Sequence, residues 1–430
     1  MENDNNKKNE RKRKSRIKAQ PLEYWEELSC MLAVIKEGFD PMPGILGRLE
    51  NIPGIEIEKS FSEDGEGGLH FVYDGEKYAV QFSMMDFTCP DLEYMNTSLS
   101  EAEKQVVQRS QAALSVAMPL HGDIKECYHL QLRLIYAMVP QLAALFDESA
   151  ERVFSPRFVK MSALSDVPPA PACLYSVQAV SDESSDKVWL HTHGLCRCGL
   201  TELEILDSDK ENCDNHYNLI SVLANRMLDF DEEDENSNSY YIGRLSDGSP
   251  VVLTAVPWEE AIWEYGRLEL GGMRDRENGH NTRTSVIFLF TSEEDEENGI
   301  LTKVDIYNNL WGDNPMFLLS TKETNRMAAA ARERFRYLEK CTDQEQYAVI
   351  IKLGLPTKGT EEIQNEHIWF ELISLEGDGK FRASLSQEPY YLDMKVGDEG
   401  LYSVDQVTDW RIFCEDGLIT PDEAYRLMEE

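Results

Sequence analysis

The chain has 430 residues, of which 42% are hydrophobic, and this is enough apolar side chain to fill the cores of two or three globular domains. Its formal net charge is −37, from 79 acidic and 42 basic residues. A body of that charge repels phosphate backbones and anionic lipid. We therefore expect no nucleic-acid binding by the globular body and no membrane association.

The charge is distributed unevenly along the chain. Residues 1–20 carry eight basic side chains and three acidic ones, which is typical of a basic, disordered arm. Acidic residues follow where a secretion signal would need an apolar segment. The nine cysteines are scattered and odd in number, as expected for reduced thiols. These features predict a cytoplasmic protein.

Residues 21–165 are predicted to form a first α+β subdomain. The segment "SCMLAVIKEGF" favours a strand, and "LHFVYDGEKYAVQF" favours a hairpin that turns at Asp74 and Gly75. A further apolar strand is predicted over "AALSVAMPL". From Asp123 to Phe146 the chain is apolar nearly all round, which predicts one long helix kinked at Pro140.

A proline-rich segment leads into a second predicted α+β subdomain, residues 166–320. Its predicted strands include "LYSVQAV", "VWLHTHG", "LTELEIL" and "TSVIFLF", and a helix is predicted over "NLISVLANRMLDF". A hairpin with its turn at Asp247 and Gly248 is predicted over "YYIGRLSDGSPVVLTAV". The acidic segments "DEEDENSNS" and "TSEEDEENG" are predicted to be loops.

Residues 321–430 are predicted to form a small C-terminal α+β module. A helix is expected from an N-cap at Thr324 to about Leu338, followed by the strands "YAVIIKLGL", "HIWFELISL", "KFRASL" and "GLYSVDQV". Thr420 and Glu423 form a capping box that predicts a terminal helix. The predicted fold class is therefore α+β, with two subdomains built on mixed or antiparallel sheets and this module.

One short segment offers candidate metal ligands, namely His191, His193, Cys196 and Cys198 in "HTHGLCRC". Side chains two residues apart on a strand share a face, so both histidines could reach one ion, and the cysteines could join them after a bend. Zinc accepts four nitrogen and sulfur ligands. However, H-x-H-x₂-C-x-C is unlike the common zinc spacings. The alternative is a half-buried strand without metal, and the sequence favours that alternative.

The sequence contains two further candidate donors but no known catalytic motif. Cys213 and His216 lie near the start of a predicted helix and could add ligands to the same ion. No G-x-S-x-G, H-E-x-x-H or glycine-rich dinucleotide motif is present in the sequence. We therefore assign no catalytic residue, and zinc is the one cofactor kept open.

Two stretches of the chain resemble bacterial families. Residues 21 to about 320 resemble the family called domain of unknown function 4026, through "MLAVIKEG", "QLRLIYAMVPQL", "LYSVQAV", "WLHTHGL" and "GLTELEIL". Residues from about 322 to 428 are similar to domain of unknown function 2314, through "MAAAARERF", "EHIWFELI" and "KVGDEGLYSVDQVTDW". The first resemblance implies that the family pattern includes Thr192, Gly194, Gly199, Glu202 and Glu204, and we treat all of these but Gly199 as candidate binding residues.

The second resemblance implies candidate residues in the C-terminal module. Its pattern includes Asp409 and Trp410, which we interpret as a core tryptophan fixed by a neighbouring carboxylate. A binding surface is also predicted around Glu366, His367 and Trp369.

Two functions remain open from the sequence. The favoured one is a non-enzymatic, strongly acidic protein-interaction module of the immunity or stress-related kind, with a basic protein as its partner. The alternative is a metal-binding protein, in one version a metal-dependent hydrolase, centred on "HTHGLCRC". The identity of the partner and the oligomeric state are not specified by the sequence.

Overall fold

The computed structural model describes residues 27–93, 95–229, 239–277, 279–311, 316–342, 344, 346–357 and 365–429. These residues belong to two compact units. Unit 1 comprises Met1–Phe154 and Pro171–Leu319, and unit 2 comprises Ser155–Ala170 and Ser320–Glu430. The predicted arm at 1–20 and most of the first predicted acidic loop lie outside the described residues. The predicted division into subdomains 21–165 and 166–320 and the module 321–430 stays a prediction.

The helices of the described residues are 4 to 16 residues long. In chain order the α-helices are α1 (Ile45–Glu50), α2 (Glu101–Arg109), α3 (Ile124–Met138), α4 (Pro156–Leu164), α5 (Cys213–Leu228), α6 (Trp258–Ala261), α7 (Glu293–Asn298), α8 (Asn308–Trp311) and α9 (Thr321–Glu333). None of the helices in this described part is long and apolar enough to cross a membrane.

The first sheet of unit 1 contains, among the described residues, the strands β1 (Leu28–Ile35), β2 (Ile55–Glu63), β3 (Glu66–Tyr73), β4 (Glu76–Asp86), β5 (Asn96–Thr97), β6 (Ala112–Pro119), β7 (Leu142–Asp147) and β8 (Arg152–Phe154). Their order is β2-β3-β4-β6-β1-β7-β8-β5. Only the β5–β8 pair is parallel among these strands. The predicted hairpin at Asp74 and Gly75 joins β3 to β4 and is confirmed.

The predicted long helix from Asp123 to Phe146 is wrong. Helix α3 begins after the N-cap Asp123 and ends at Met138. Proline disfavours helical geometry in the residue before it, so Pro140 ends the helix instead of kinking it. The apolar residues that follow form the fully buried strand β7, which pairs with β1.

The second sheet of unit 1 contains β9 (Ser176–Ser181), β10 (Lys187–His193), β11 (Glu202–Asp209), β12 (Tyr240–Arg244), β13 (Pro250–Pro257), β14 (Thr284–Phe290) and β15 (Met316–Phe317). Their order is β15-β12-β13-β14-β11-β10-β9, and β11 and β14 run parallel. Helix α5 packs on one face through Leu219 and Leu223, against Leu190 and Leu203 of the sheet. The other face carries Trp189 and is covered by residues 258–270.

A buried ion pair joins the two sheets of unit 1. Arg197 lies in a short 3₁₀ turn after β10 and donates to both carboxylate oxygens of Asp147, at the end of β7, over 2.7 and 2.8 Å. Its guanidinium also donates to the carbonyl oxygen of Leu174 and to the hydroxyl of Ser29. Both charged side chains are fully buried. This pair therefore fixes the end of β10 against the end of β7.

The sheet of unit 2 contains β16 (Ala348–Pro356), β17 (Asn365–Gly377), β18 (Lys380–Leu385), β19 (Glu399–Ser403), β20 (Val407–Cys414) and β21 (Gly417–Ile419), in the order β19-β18-β17-β16-β20-β21. All its pairs are antiparallel among the described residues. Helix α9 covers one face, where the indole nitrogen of Trp410 donates to the carbonyl oxygen of Ala331. The predicted α+β fold class is confirmed.

The structure confirms one predicted helix start and contradicts another. The capping box of Thr420 and Glu423 is present, and it starts a 3₁₀ helix at Pro421–Leu427. The predicted N-cap at Thr324 is wrong, because Ser320 caps α9 by accepting from the backbone of Glu323. The second predicted acidic loop is also wrong, since its acidic residues form α7, capped by Ser292. Acidic side chains are favourable in the first turn of a helix.

Candidate metal centre

Strand β10 directs two aromatic side chains to the face opposite α5. Successive side chains of a strand alternate between faces, and Leu190 packs in the core against α5 while Trp189 packs on the other side. His191 lies on the Trp189 side, with its ring centre 4.4 Å from that of the indole. His191 is fully buried, and His193 is 13% exposed.

A third histidine, His280, comes from the loop between β13 and β14. Arg276 of the same loop anchors it, because Nη2 donates to both carboxylate oxygens of Glu204 over 2.8 Å each and Nη1 donates to the carbonyl oxygen of Asn281. The guanidinium also lies over the ring of Trp189, 5.1 Å from its centre. The loop is thus fixed to β10 and β11 one residue from His280.

The three imidazole rings form a compact triangle. Their centres are separated by 5.0 Å for His191 and His193, 5.3 Å for His191 and His280, and 5.5 Å for His193 and His280. One nitrogen from each ring lies within 4.8 Å of the other two. A tetrahedral zinc ion about 2.0 Å from each nitrogen would place the nitrogens about 3.3 Å apart and the ring centres roughly 5 Å apart. The rings therefore have the spacing of a three-histidine zinc site, and small side-chain rotations would close the nitrogens onto an ion.

Several nitrogens of this triangle are buried without a partner. Neither ring nitrogen of His191 has a hydrogen-bond partner among the described residues, and neither does Nε2 of His193. Buried polar atoms in folded proteins are hydrogen-bonded in the large majority of cases. Unpartnered imidazole nitrogens in a cluster of three histidines therefore point to a group that the protein atoms do not supply.

The electrostatics favour neutral rings at His191 and His280. Burial lowers the pKa of His191 to about 2, and the neighbouring His193 and His280 act in the same direction. Burial also lowers the pKa of His280. A neutral imidazole keeps a lone pair, and it is the form that binds metal ions. Three histidines leave one coordination position for water, which is the arrangement of catalytic zinc sites.

The structure brings together two of the four predicted ligands. Cys196 and Cys198 lie in the 3₁₀ turn after β10, and within the described residues they are outside the group that includes His191 and His193. Their thiols approach the carbonyl oxygens of Arg283 and Gly194 instead. Burial raises the pKa of Cys198 to about 12 and raises that of Cys196 further. Protonated thiols are poor metal ligands.

The additional candidates near α5 also lie elsewhere. His216 is fully buried, and its Nδ1 is 2.8 Å from the hydroxyl of Ser208 while its Nε2 is 2.9 Å from Oδ1 of Asn308. Both nitrogens are therefore occupied. Cys213 is half-buried at the first position of α5, and burial raises the pKa of its thiol.

The candidate binding residues of unit 1 support the histidines. Glu202 is buried and accepts hydrogen bonds from the backbone of Gly194 and of Cys196, over 2.8 and 3.0 Å, and from the hydroxyl of Thr192 over 2.6 Å. This carboxylate holds the chain where it leaves β10. Gly194 has a φ of +114°, and an added Cβ would lie 2.4 Å from the carbonyl oxygen of Leu174. Only glycine fits this close approach.

Glu204 anchors the loop that carries His280. Besides Arg276, it accepts from the indole nitrogen of Trp189 over 2.8 Å and from the hydroxyl of Thr284 over 2.9 Å. Burial raises the pKa of Glu204 even though Arg276 opposes this effect. Thr192, Gly194, Glu202 and Glu204 are thus buried and bonded inside the protein, where they position β10 and its neighbouring loops.

The candidate residues around β17 of unit 2 occupy different environments. Glu366 is buried and accepts from the backbone nitrogens of Tyr390 and Tyr391, over 2.7 and 2.9 Å. His367 is exposed, with Nδ1 3.2 Å from the hydroxyl of Thr408. Trp369 is half-buried on the open face of the sheet.

Charged side chains flank Trp369 on that open face. The ammonium of Lys352 and the guanidinium of Arg411 lie 5.5 and 5.0 Å from its ring centre. Trp410 is fully buried, as the interpretation of a core tryptophan requires. The carboxylate of Asp409 accepts from the backbone nitrogen of Trp410, whereas the indole nitrogen bonds to Ala331.

His280 is the residue of the triangle that sequence reasoning missed. It follows Gly279 in the polar segment "DRENGHNTR", which has neither apolar periodicity nor a second histidine or cysteine nearby. Its link to β10 runs through Arg276 and Glu204, which are 72 residues apart. A polar loop that carries one histidine gives no local signal of such a contact.

Comparison with known proteins gives matches to three family descriptions. Residues 29–169 match "Protein of unknown function (DUF4026) N-terminal", and residues 177–288 match "Protein of unknown function (DUF4026) C-terminal". Residues 321–420 match "Uncharacterized protein conserved in bacteria (DUF2314)". No curated protein and no solved structure matches the chain. The chain therefore belongs to the DUF4026 family and carries a DUF2314 domain in its C-terminal part.

Proposed function

We propose that this protein binds a transition-metal ion at His191, His193 and His280. One observation carries the proposal: the buried nitrogens of His191 and His193 have no partner among the described residues, and they converge with His280. A metal ion would satisfy these nitrogens, and the lowered pKa values of His191 and His280 keep the lone pairs of those two rings available. Access from solvent is open on the side of His280, which is exposed.

Zinc is the ion that this donor set fits best. Three imidazole nitrogens in a triangle suit a tetrahedral ion with one water ligand, and zinc adopts this geometry in proteins. Copper and nickel also bind imidazole, and copper binds most divalent sites more tightly than zinc does. Calcium and magnesium prefer oxygen ligands. We therefore expect zinc to bind and magnesium not to bind.

The test is a zinc titration of the full-length protein after its metal has been removed with a chelator. We expect one zinc ion per chain and an increase in stability on binding, which amounts to about 2.7 kcal/mol at a free zinc concentration 100 times the Kd. His280→Ala should abolish this increase, and because His280 is exposed the variant should still fold. His70→Ala is the matched control, since His70 is an exposed histidine on β3 of the same unit. Zinc uptake that is unchanged in His280→Ala contradicts the proposal.

A second variant separates this site from the ligand set predicted from sequence. Because Cys196 and Cys198 lie outside the histidine group, the double variant Cys196→Ser and Cys198→Ser should keep one zinc ion per chain. If the serine variant loses zinc while His280→Ala keeps it, the ion is held by the four residues of "HTHGLCRC".

A second function is supported by charge, and we propose it alongside the first: recruitment of a basic protein partner in the cytoplasm. The net charge is −37, and α7 displays a continuous acidic surface without a buried residue. All nine cysteines are free thiols, as expected in a reducing compartment. A partner steered by charge should associate more slowly as salt is raised, with little change in its dissociation rate. An association rate independent of salt would speak against such a partner.

A further inference from the structure

One carboxylate from the first sheet of unit 1 lies next to the histidine triangle, although the three histidines come from the second sheet and its loop. Oε1 of Glu151 is 3.7 Å from Nδ1 of His193. The other nitrogen of that ring, Nε2, is buried and has no partner among the described residues. His193 therefore has Glu151 near one nitrogen and leaves the other available to an ion.

Glu151 is held in an uncommon backbone conformation. It precedes β8 in the turn that follows β7, and its φ is +48°, in the left-handed region that residues other than glycine rarely adopt. Such a strained conformation persists where the surrounding structure imposes it. Here the amide of Gln178, on β9, donates to the carboxylate of Glu151. Gln178 is the cross-strand partner of His191, so this contact ties Glu151 to the strands that carry the site.

The turn itself is fixed to the end of β10. Asp147 accepts a hydrogen bond from the backbone of Ala150 over 3.2 Å and is held by the buried guanidinium of Arg197. Ala150 approaches β10 so closely that a Cβ on Gly194 would lie 3.2 Å from the Cβ of Ala150. The first sheet thus places the carboxylate of Glu151 next to His193.

We propose that Glu151 is a positioning residue of the metal centre, which accepts a hydrogen bond from Nδ1 of His193 and so leaves Nε2 as the metal ligand. This inference rests on the proposed function. Histidine ligands usually donate their second ring N–H to a carboxylate, a carbonyl or water, which fixes the tautomer and strengthens the ligand. The separation of 3.7 Å is longer than a hydrogen bond, so this role requires that the two side chains move closer together when the ion binds. The two sheets then build one site, with the ligands from one side and the orienting carboxylate from the other.

The experiment measures zinc affinity and the protonation of His193 in the full-length protein. Glu151→Gln should weaken zinc binding by about 10–100-fold, and Glu151→Asp should recover part of the loss. Glu148→Gln is the matched control, because Glu148 is an exposed glutamate of the same turn. Long-range ¹H–¹⁵N spectra of the zinc-bound wild type should show a proton on Nδ1 of His193 and the metal on Nε2.

The outcomes distinguish this inference from the proposed function. A wild-type protein that takes up no zinc overturns both. A wild type that binds zinc, together with a Glu151→Gln variant of equal affinity and unchanged His193 spectra, overturns the role of Glu151 alone. Loss of affinity in Glu151→Gln with partial recovery in Glu151→Asp supports it, because a role limited to the fold would not alter the His193 signals selectively. Circular dichroism of each metal-free variant should match that of the wild type, since the side chain of Glu151 is 49% exposed.

Discussion

His191 and His216 are both fully buried histidines of unit 1, yet their surroundings differ completely. His216, under α5, has Ser208 at one ring nitrogen and Asn308 at the other. His191, on β10, has no partner at either nitrogen among the described residues. Burial lowers the pKa of both rings. Burial of a histidine is therefore no sign of a metal centre by itself, whereas a buried imidazole without a hydrogen-bond partner, next to two further imidazoles, is such a sign.

The same contrast extends to the charged groups around β10. The carboxylates of Glu202 and Glu204 and the guanidinium groups of Arg197 and Arg276 all have several partners inside the protein. Buried charges are tolerated only when they are paired and hydrogen-bonded. These charged groups are thus paired, although Nε of Arg197 is buried without a partner among the described residues. The buried imidazole nitrogens without a partner all lie in the histidine triangle, within the part of the chain that the structure describes. Four substitutions or conditions test this contrast.

The largest effect is expected where a buried charge loses its partner. Arg197→Met should lower the free energy of unfolding by about 3–5 kcal/mol, because Asp147 would remain as a buried, uncompensated carboxylate. Chemical denaturation followed by circular dichroism measures the change. Arg267→Met is the matched control, since Arg267 is exposed in the same unit. A loss below about 1 kcal/mol would contradict this expectation and would mean that the pair contributes little to stability.

A smaller loss is expected where a satisfied histidine is removed. His216→Leu should lower the free energy of unfolding by about 1–3 kcal/mol, because the hydroxyl of Ser208 and the amide of Asn308 would face an apolar side chain. The same denaturation experiment measures it. An unchanged stability would show that these two polar groups find water instead.

The stability difference between wild type and His216→Leu should depend on pH. Burial lowers the pKa of His216 below its ordinary value of 6.5, although the hydrogen bond with Asn308 opposes the shift. The unfolded chain therefore binds more protons than the folded protein below about pH 6.5, so the stabilisation by neutral His216 is complete above that pH and declines as the pH falls. Denaturation at about pH 7.5 and about pH 5 should show the difference shrinking at the lower value. A stability difference that grows at acid pH would mean that folding raises the pKa of His216 instead of lowering it.

The smallest effect is expected at the unpartnered ring. In metal-free protein, His191→Leu should change the free energy of unfolding by less than about 1 kcal/mol, because removing a buried polar group without partners leaves no other group unsatisfied. Zinc should no longer stabilise this variant. If His191→Leu and His216→Leu are equally destabilising without metal, then His191 has a structural partner and the contrast between the two histidines fails.

Local signals in the sequence predicted the parts of the fold that depend on local chemistry. The hairpin at Asp74 and Gly75 follows from the turn residues and the alternating strands on either side. The helix predicted from Asp123 to Phe146 failed because an apolar segment alone does not distinguish a buried helix from a buried strand. Residues 142–147 form a strand because they pair with β1, and the sequence around residue 142 gives no signal of that pairing.

The site was predictable only in part for the same reason. The alternation of His191 and His193 on one strand face is a local pattern, and the structure places these two rings together. Their pairing with His280 depends on Arg276 and Glu204, which the sequence does not link. The family resemblance drew attention to Glu202 and Glu204, but it could not show that they hold neighbouring loops in place. Cys196 and Cys198 were predicted as ligands because they lie close to the histidines in sequence. The bend at Gly194 places them outside the histidine triangle.

The path of the chain through α4 has a consequence for any attempt to take the protein apart. The chain enters unit 2 at residue 155, returns to unit 1 at 171 and enters unit 2 again at 320. In unit 2 the ring of Phe158 packs edge-on against Tyr425, and Glu333 accepts from the backbone of Asp166. A piece beginning at 320 would lack this helix. A cut there would give two fragments that still share one folded unit, as in a split reporter, with α4 on the first fragment and the sheet of unit 2 on the second.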